Sequence, residues 1–379
     1  MTALTEAGQR EASPSIDSAP VVALSVIVPT FNEASNVATL VERLSAALHG
    51  IRWEVIFVDD SSPDGTADAV RAIAQRNARV RCVQRIGRRG LASACIEGAL
   101  SSSAPFVAVI DGDLQHDETL LPEMFKRLSR GDLDVVIGSR YADKGGFGSW
   151  SANRIRASKL ATRLAKKATR VSLSDPMSGF FMIRRDTLVA LAPQMSSIGF
   201  KILLDIFASS KTPLRFEEIP YHFRARGHGD SKLEFVVLWE YAMLLIDKLV
   251  GRHIPARLIS FSIIGALGVA VHLSIVYAFL LANLSFIIAQ TVATFAAMTF
   301  NFLLNNLLTY SDMRLRGRKL LFGWITFVLA CSVGAAANVG VAGYMFSNNQ
   351  FWALSALAGI AVGTVWNFAI TSIFTWKRQ

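Results

Sequence analysis

The stretch "FVAVIDGDLQHD" at residues 106–117 decides how the chain is read. An apolar run stops abruptly at Asp111, Gly112 and Asp113, and Asp117 follows closely. Two carboxylates one residue apart at the end of a buried strand suit a hard divalent cation, Mg²⁺ or Mn²⁺, that shares its shell with phosphate oxygens. Gly112 leaves room for close approach, and the Gln115 amide oxygen can complete the oxygen set. A plainer reading makes these turn residues, with Asp117 capping a helix that starts at 118. His116 stands next to the motif without a carboxylate partner in sequence, so a structural role suits it better than that of a general base.

Working outward, "VVALSVIVP", "WEVIFVDD", "FVAVIDGD" and "DVVIGSR" are β-branched runs separated by helical stretches at about 33–48, 66–78 and 118–130. This alternation predicts an α/β fold, a mostly parallel sheet with helices on both faces, whose ligands bind beyond the carboxyl ends of the strands. Each of the four runs ends in residues capable of chemistry: Pro29 to Glu33, Asp59-Asp60, Asp111 to Asp113, and Ser139-Arg140. In "VDDSSPDGT" (58–66), Pro63-Asp64-Gly65 reads as a turn, and the two acids before it can accept hydrogen bonds from a ribose or a base edge.

The bulk numbers demand a second domain. Of 379 residues, 52% are apolar and 18% charged, with a net charge of +10 and a mean hydropathy of +0.37. One soluble domain plus one membrane domain reconciles them. Residues 1–22 form a polar tail with no apolar leader, read as disordered. Cys82, Cys95 and Cys331 lie far apart, which argues against a disulfide framework and suits a reducing cytosol. Residues 233–252 carry Glu234, Glu240, Asp247 and Lys248 on one predicted face and read as an interfacial amphipathic helix, with a soluble packed helix as the alternative. Residues 253–379 hold four predicted transmembrane helices, at about 257–281, 286–309, 321–346 and 351–374. Arg252 and Arg257, the group Arg314, Arg316, Arg318 and Lys319, and Lys377 with Arg378 all fall on one side, so both termini and the α/β domain are assigned to the cytoplasm. These helices repeat: Asn301-Phe302 and Asn367-Phe368 are offset by 66 (367 minus 301), and the same offset pairs Phe261 with Phe327, Gly268 with Gly334 and His272 with Asn338. Two hairpins of like topology follow.

Positive charge concentrates in "NRIRASKLATRLAKKATR" (153–170), where no acid interrupts the run. Beside a membrane domain, such a helix suits anionic headgroups. Arg154 and Ser158, four apart, can face one phosphate. Without interleaved aromatics, no nucleic-acid partner is assigned. "RIGRRG" (85–90) reads as a solvated basic loop or a cover over a ligand.

"SVIVPTFNEASNV", "VDDSSPDGT", "VIDGDLQHD", "VIGSRY", "SGFFMIRR" and "RGHGDSKL" together resemble the family 2 glycosyltransferases of the dolichol-phosphate mannose synthase type. "NFLLNNLLTY" and "NFAITSIFTW" resemble the GtrA-like four-helix membrane domains. The resemblance implies a GT-A (Rossmann-like) fold over 23–232. It assigns Pro29, Phe31, Glu33 and Asp60, joined by Asp59 and Asp111, to the nucleotide-sugar donor. Asp111, Asp113 and Gln115 go to the metal, Arg140, Arg154 and Ser158 to the acceptor lipid phosphate, and Arg226 and Lys232 to the donor diphosphate, with Asp113, Arg226 and Lys232 as the catalytic set. Phe31 stands where Tyr is common, Gly112 where Ala is, and Ser61 where Gly is. Asp205 stands where Glu is expected and receives no role. The implied reaction is inverting transfer of a hexose, mannose from GDP-mannose, to polyprenyl phosphate. Glucose from UDP-glucose, or a glycolipid carrier role for the membrane domain, are the alternatives. Lipid length and oligomeric state, a homo-oligomer included, stay open.

Overall fold

The computed structural model describes residues 22–87, 89–140, 171–196, 201–224, 234–250, 254–348 and 352–376. Seven strands form one sheet: β1 (Leu24–Thr30), β2 (Trp53–Asp59), β3 (Val80–Gln84), β4 (Phe106–Val109), β5 (Val135–Ser139), β6 (Phe181–Arg184) and β7 (Phe216–Pro220), in the order β3-β2-β1-β4-β6-β5-β7. All pairings are parallel except those of β6, which runs antiparallel between β4 and β5.

Period-two alternation explains why both faces are buried. Val26 and Val28 of β1 point into a core shared with Leu40 and Leu44 of α1 (Val37–Ala47), the helix predicted over 33–48. Ile27 points the other way, with Ile56 and Val58, against Ala94 and Cys95 of α3 (Leu91–Leu100). α2 (Thr66–Ala74) follows β2, and α4 (Leu121–Leu128) follows β4 after a short 3₁₀ turn that the Asp117 side chain caps. The strand order reverses at β1, which has β2 on one side and β4 on the other. A crevice opens there beyond the carboxyl ends. The register pairs Thr30 with Asp59 and Ile27 with Val109, so Asp111 leaves β4 level with Pro29.

After α5 (Arg185–Leu191) and α6 (Ile202–Ser209), helix α7 (Glu234–Val250) joins the two domains. Its Tyr241, Leu244 and Leu245 bury against Leu204 of α6, and Glu240, expected on a polar face, is buried and accepts a hydrogen bond from Ser311 at 3.0 Å.

Four helices follow: α8 (Ala256–Leu281), α9 (Phe286–Leu304, continued by a π-helical turn to Thr309), α10 (Arg318–Ser347) and α11 (Trp352–Phe374). Among the described residues, Ala256–Leu281 and Ile288–Thr309 are long and apolar enough to cross a membrane. Leu267, Leu273 and Tyr277 lie exposed on α8, an apolar face that acyl chains would cover.

The 66-residue repeat becomes a pseudo-two-fold. Phe261 packs on Phe368 at 5.8 Å, and their counterparts Phe327 and Phe302 pack at 5.6 Å. Tyr310 and its counterpart Trp376 stack at 4.1 Å with planes 6° apart. Tyr310 shares a hydrogen bond with Ser372, and Trp376 donates reciprocally to Asn306. Ser260 with Thr309, and Thr326 with Thr375, form a further matched pair. A β-carbon on Gly268 would overlap Asn301 Oδ1, and one on Gly334 would overlap Asn367 Oδ1. Each hairpin therefore closes on one glycine–asparagine contact. His272 reaches Gln290 of the neighbouring helix at 3.3 Å.

Gly268→Ala and Gly334→Ala should each destabilise the full chain by about 1–3 kcal/mol through overpacking. Thermal melts in detergent would show two similar losses. An unchanged melt for either would contradict the symmetric contact.

Candidate active site

At the end of β4, Asp111 Oδ2 lies 3.0 Å from His116 Nε2, and His116 Nδ1 lies 2.7 Å from the Tyr221 hydroxyl. His116 is buried beside the Phe180, Tyr221 and Phe223 rings. Burial alone would raise the Asp111 carboxyl. The His116 hydrogen bond, with the charges of Lys201 and Arg140, outweighs it and holds Asp111 below the usual carboxylate range. Gly179 lets the chain pass close to this carboxylate, since a β-carbon there would lie 3.1 Å from Oδ2.

Asp113 accepts from the Gln115 backbone N–H at 3.1 Å, and Gln115 Nε2 donates to the Arg224 carbonyl at 3.1 Å. This donor set consists of hard oxygens. Among the described residues, no group of three or more His, Cys, Asp or Glu could enclose a metal. The arrangement fits a Mg²⁺ or Mn²⁺ that takes its remaining ligands from substrate phosphates and water. Glu33 flanks the motif, 3.6 Å from where a Gly112 β-carbon would stand.

The two acids closing β2 differ. Asp59 is fully buried and accepts from Ser62 Oγ at 2.5 Å, from the Ser62 N–H and from Thr30 Oγ1. Its oxygens brace the turn. Asp60 accepts from the Gly90 N–H at 2.8 Å and lies 2.9 Å from Arg85. Burial raises its pKa, against the lowering effects of Gly90 and Arg85. Arg85 is itself buried and also donates to the Gly90 carbonyl and to Ser93. It anchors the 85–90 segment, which corrects its reading as part of a solvated loop. Arg89 lies over the Phe31 ring at 4.3 Å; Arg88 lies outside the described residues.

Arg140 donates through Nε and Nη2 to both oxygens of Asp175, which is fully buried. That bidentate pair fixes the guanidinium plane. Lys201 faces Arg140, Asp111, Asp175 and Glu240, and burial, followed by Arg140, lowers its pKa. Arg154, Ser158, Arg226 and Lys232 lie outside the described residues, as does the basic run at 153–170.

Beyond the sheet edge lies a cavity of about 310 Å³ with walls from both domains. Pro29, Phe31, Asp60 and Arg89 line one side, while Glu240, Ser311, Asp312 and Arg316 line the other. Burial pushes the Glu240 carboxyl up to about 7 from an ordinary value of 4.5, with Ser311 and Lys201 pulling down and Asp312 pushing up.

Residues 25–191 match the family described as glycosyl transferase family 2, and residues 260–376 match the GtrA/DPMS transmembrane domain. A curated dolichol-phosphate mannosyltransferase of Pyrococcus furiosus is 30% identical over 93% of this chain and 99% of its own length. The chain belongs to this glycosyltransferase family. Proteins of the same name from Saccharomyces cerevisiae and Mycosarcoma maydis are each 35% identical, covering 62% and 59% of this chain and 91% and 78% of their own lengths. It is therefore a glycosyltransferase joined to a membrane domain, and its fold class is the one the motifs predicted. Sequence reasoning missed Tyr221, Asp175, Lys201 and the position of Glu240, because their partners lie far away along the chain.

His116→Ala should raise the Mn²⁺ concentration for half-maximal turnover by about 10- to 100-fold, since Asp111 loses the group that orients it. An unchanged metal titration would contradict that role. Glu240 gives a pH signature. Its raised pKa supplies stability that is fully present below about pH 4.5 and lost as pH rises through about 7. Glu240→Gln should therefore melt higher than the unaltered protein at pH 8, with the gap closing at pH 5. A gap that does not change with pH would contradict the burial of that carboxyl.

Proposed function

We propose that the chain transfers mannose from GDP-mannose to the phosphate of a dolichol-type polyprenol at the cytoplasmic face of the membrane. The observation that carries this reading is the meeting, at one sheet edge, of an ionised Asp111 with Asp113, Arg140 and Lys201, where the adjoining cavity opens onto the membrane helices. The full-length likeness to a protein named for that reaction supports it. The basic group of Arg314 and Arg316 before α10 and Arg318 and Lys319 in its first turn supports the orientation.

The acceptor needs little activation. A phosphate monoester has its second pKa near about 6, so at neutral pH it is largely the dianion and requires no general base. Its oxygen attacks the anomeric carbon as the bond to the GDP oxygen breaks. One displacement inverts the α-linked donor to a β-linked lipid product. The obstacle is charge, because two anions must meet beside two carboxylates. Asp175 holds Arg140 in a fixed plane toward the incoming phosphate, and Lys201 adds positive charge between that arginine and Asp111. A Mg²⁺ or Mn²⁺ held by Asp111 and Asp113, with Gln115 beside them, would supply positive charge to the departing diphosphate. We assign Arg226 and Lys232 to the same diphosphate, Arg154 and Ser158 to the lipid phosphate, and Pro29, Phe31, Glu33 and Asp60 to the nucleoside side.

Purified protein given labelled GDP-mannose and dolichyl phosphate should move label into the lipid fraction. Asp113→Ala should reduce the rate by on the order of 100- to 1,000-fold, and EDTA should mimic it. No lipid label, or full activity in EDTA, would overturn the transfer or the metal assignment respectively.

A further inference from the structure

The cavity between the domains holds more positive charge than its acids answer. Arg89, Arg257, Arg314 and Arg316 line it, against Asp60, Glu240 and Asp312. Arg257 pairs with Asp312 at 2.7 Å, and Asp60 pairs with the buried Arg85 at 2.9 Å. Arg89, Arg314 and Arg316 are left with no carboxylate within ion-pair distance among the described residues. Arg89 and Arg316 also come from different domains and oppose each other. Burial, and then the Arg316 guanidinium, lower the pKa of Arg89, and Asp60 offsets them only in part. Like charges facing across a cavity are costly until an anion lies between them.

Glu240 does not cancel this charge. Its Oε1 accepts from Ser311, while its Oε2 is buried with no hydrogen-bond partner among the described residues. The residue is 8% exposed. Burial pushes the carboxyl up to about 7, with Asp312 acting in the same direction and Ser311 and Lys201 against it. Near neutral pH it therefore takes up a proton, and a protonated Oε2 is a donor for an anionic oxygen.

The other lining residues indicate what carries the anion. Trp239 and Met243 of α7 contribute apolar wall, as do Leu307 and Leu308 of the π-helical turn that ends α9. The segment Ile288–Thr309 is long and apolar enough to cross a membrane. Arg314 and Arg316, just beyond it, therefore stand at headgroup level. A singly charged phosphate with an acyl tail matches both features. A nucleotide or a free phosphate has no tail to lay against the leucines.

We infer that the membrane end of this cavity binds the phosphodiester of an anionic phospholipid, held between Arg89 of one domain and Arg314 and Arg316 of the other. This site is additional to those of the donor and the acceptor. The lipid bridges the two domains by answering charge on both walls.

The test is native mass spectrometry of the full-length protein released from micelles that contain equal amounts of phosphatidylglycerol and phosphatidylcholine. One phosphatidylglycerol should be retained in preference by about 10- to 100-fold. Arg89→Ala and Arg316→Ala, on opposite walls, should each cut that preference about 5-fold. Arg318→Ala, at the start of α10 and outside the cavity lining, should leave it unchanged. Equal retention of the two lipids overturns the inference. An equal loss in Arg318→Ala overturns it by showing a general basic surface, and a loss in Arg316→Ala without one in Arg89→Ala overturns the bridge. Displacement of phosphatidylglycerol by GDP with Mn²⁺, or by dolichyl phosphate, overturns it by making the anion a substrate. Mannose transfer by protein that shows no lipid preference removes this inference alone and leaves the transferase reading intact.

Discussion

The packing of α7 on both domains is the contact on which the rest depends. Its apolar face covers Leu204, and its Glu240 reaches Ser311 after the second membrane helix. The sheet edge is thereby held against the membrane helices, and the cavity at the strand ends gains a second wall. For a reaction between a soluble nucleotide sugar and a phosphate anchored in lipid, that placement matters as much as any single side chain. The acceptor phosphate stays near the bilayer surface, so the donor must be held at a matching height.

At the sheet edge the governing problem is electrostatic. Asp111 is held ionised although burial disfavours its charge, and the His116 hydrogen bond with the charges of Lys201 and Arg140 achieves this. Arg140 in turn is aimed by Asp175. Each charged group is fixed by another group behind it, which is how a site aligns anions without reorganising during the reaction. In the membrane domain, the Phe261, Phe302, Phe327 and Phe368 contacts and the Tyr310–Trp376 stack fasten two hairpins to each other reciprocally. They give α7 and the Ser311 turn a firm base.

The sheet was legible in the sequence because parallel strands buried on both faces read as continuous apolar runs. The Asp111 and Asp113 motif was legible because such runs end where ligands bind. The internal repeat was legible as a fixed offset, and its meaning as reciprocal contacts emerged only in three dimensions. Arg85 was not legible as an anchor, because a charged residue in a loop looks exposed until the serine and backbone groups that satisfy it are located. Tyr221 lies 105 residues from His116, Asp175 lies 35 from Arg140, and Ser311 lies 71 from Glu240. Local patterns carry no trace of such pairings.

The central claim is that bound nucleotide lies between the sheet edge and the membrane domain. Arg316 lines the cavity from the membrane side and is exposed. The direct measurement is the rate at which an Arg316→Cys protein, in sealed vesicles with the catalytic domain outward, reacts with a membrane-impermeant thiol reagent, with and without GDP and Mn²⁺. The account requires fast labelling that GDP slows several-fold. Labelling that GDP leaves untouched, while the nucleotide still binds, would contradict it.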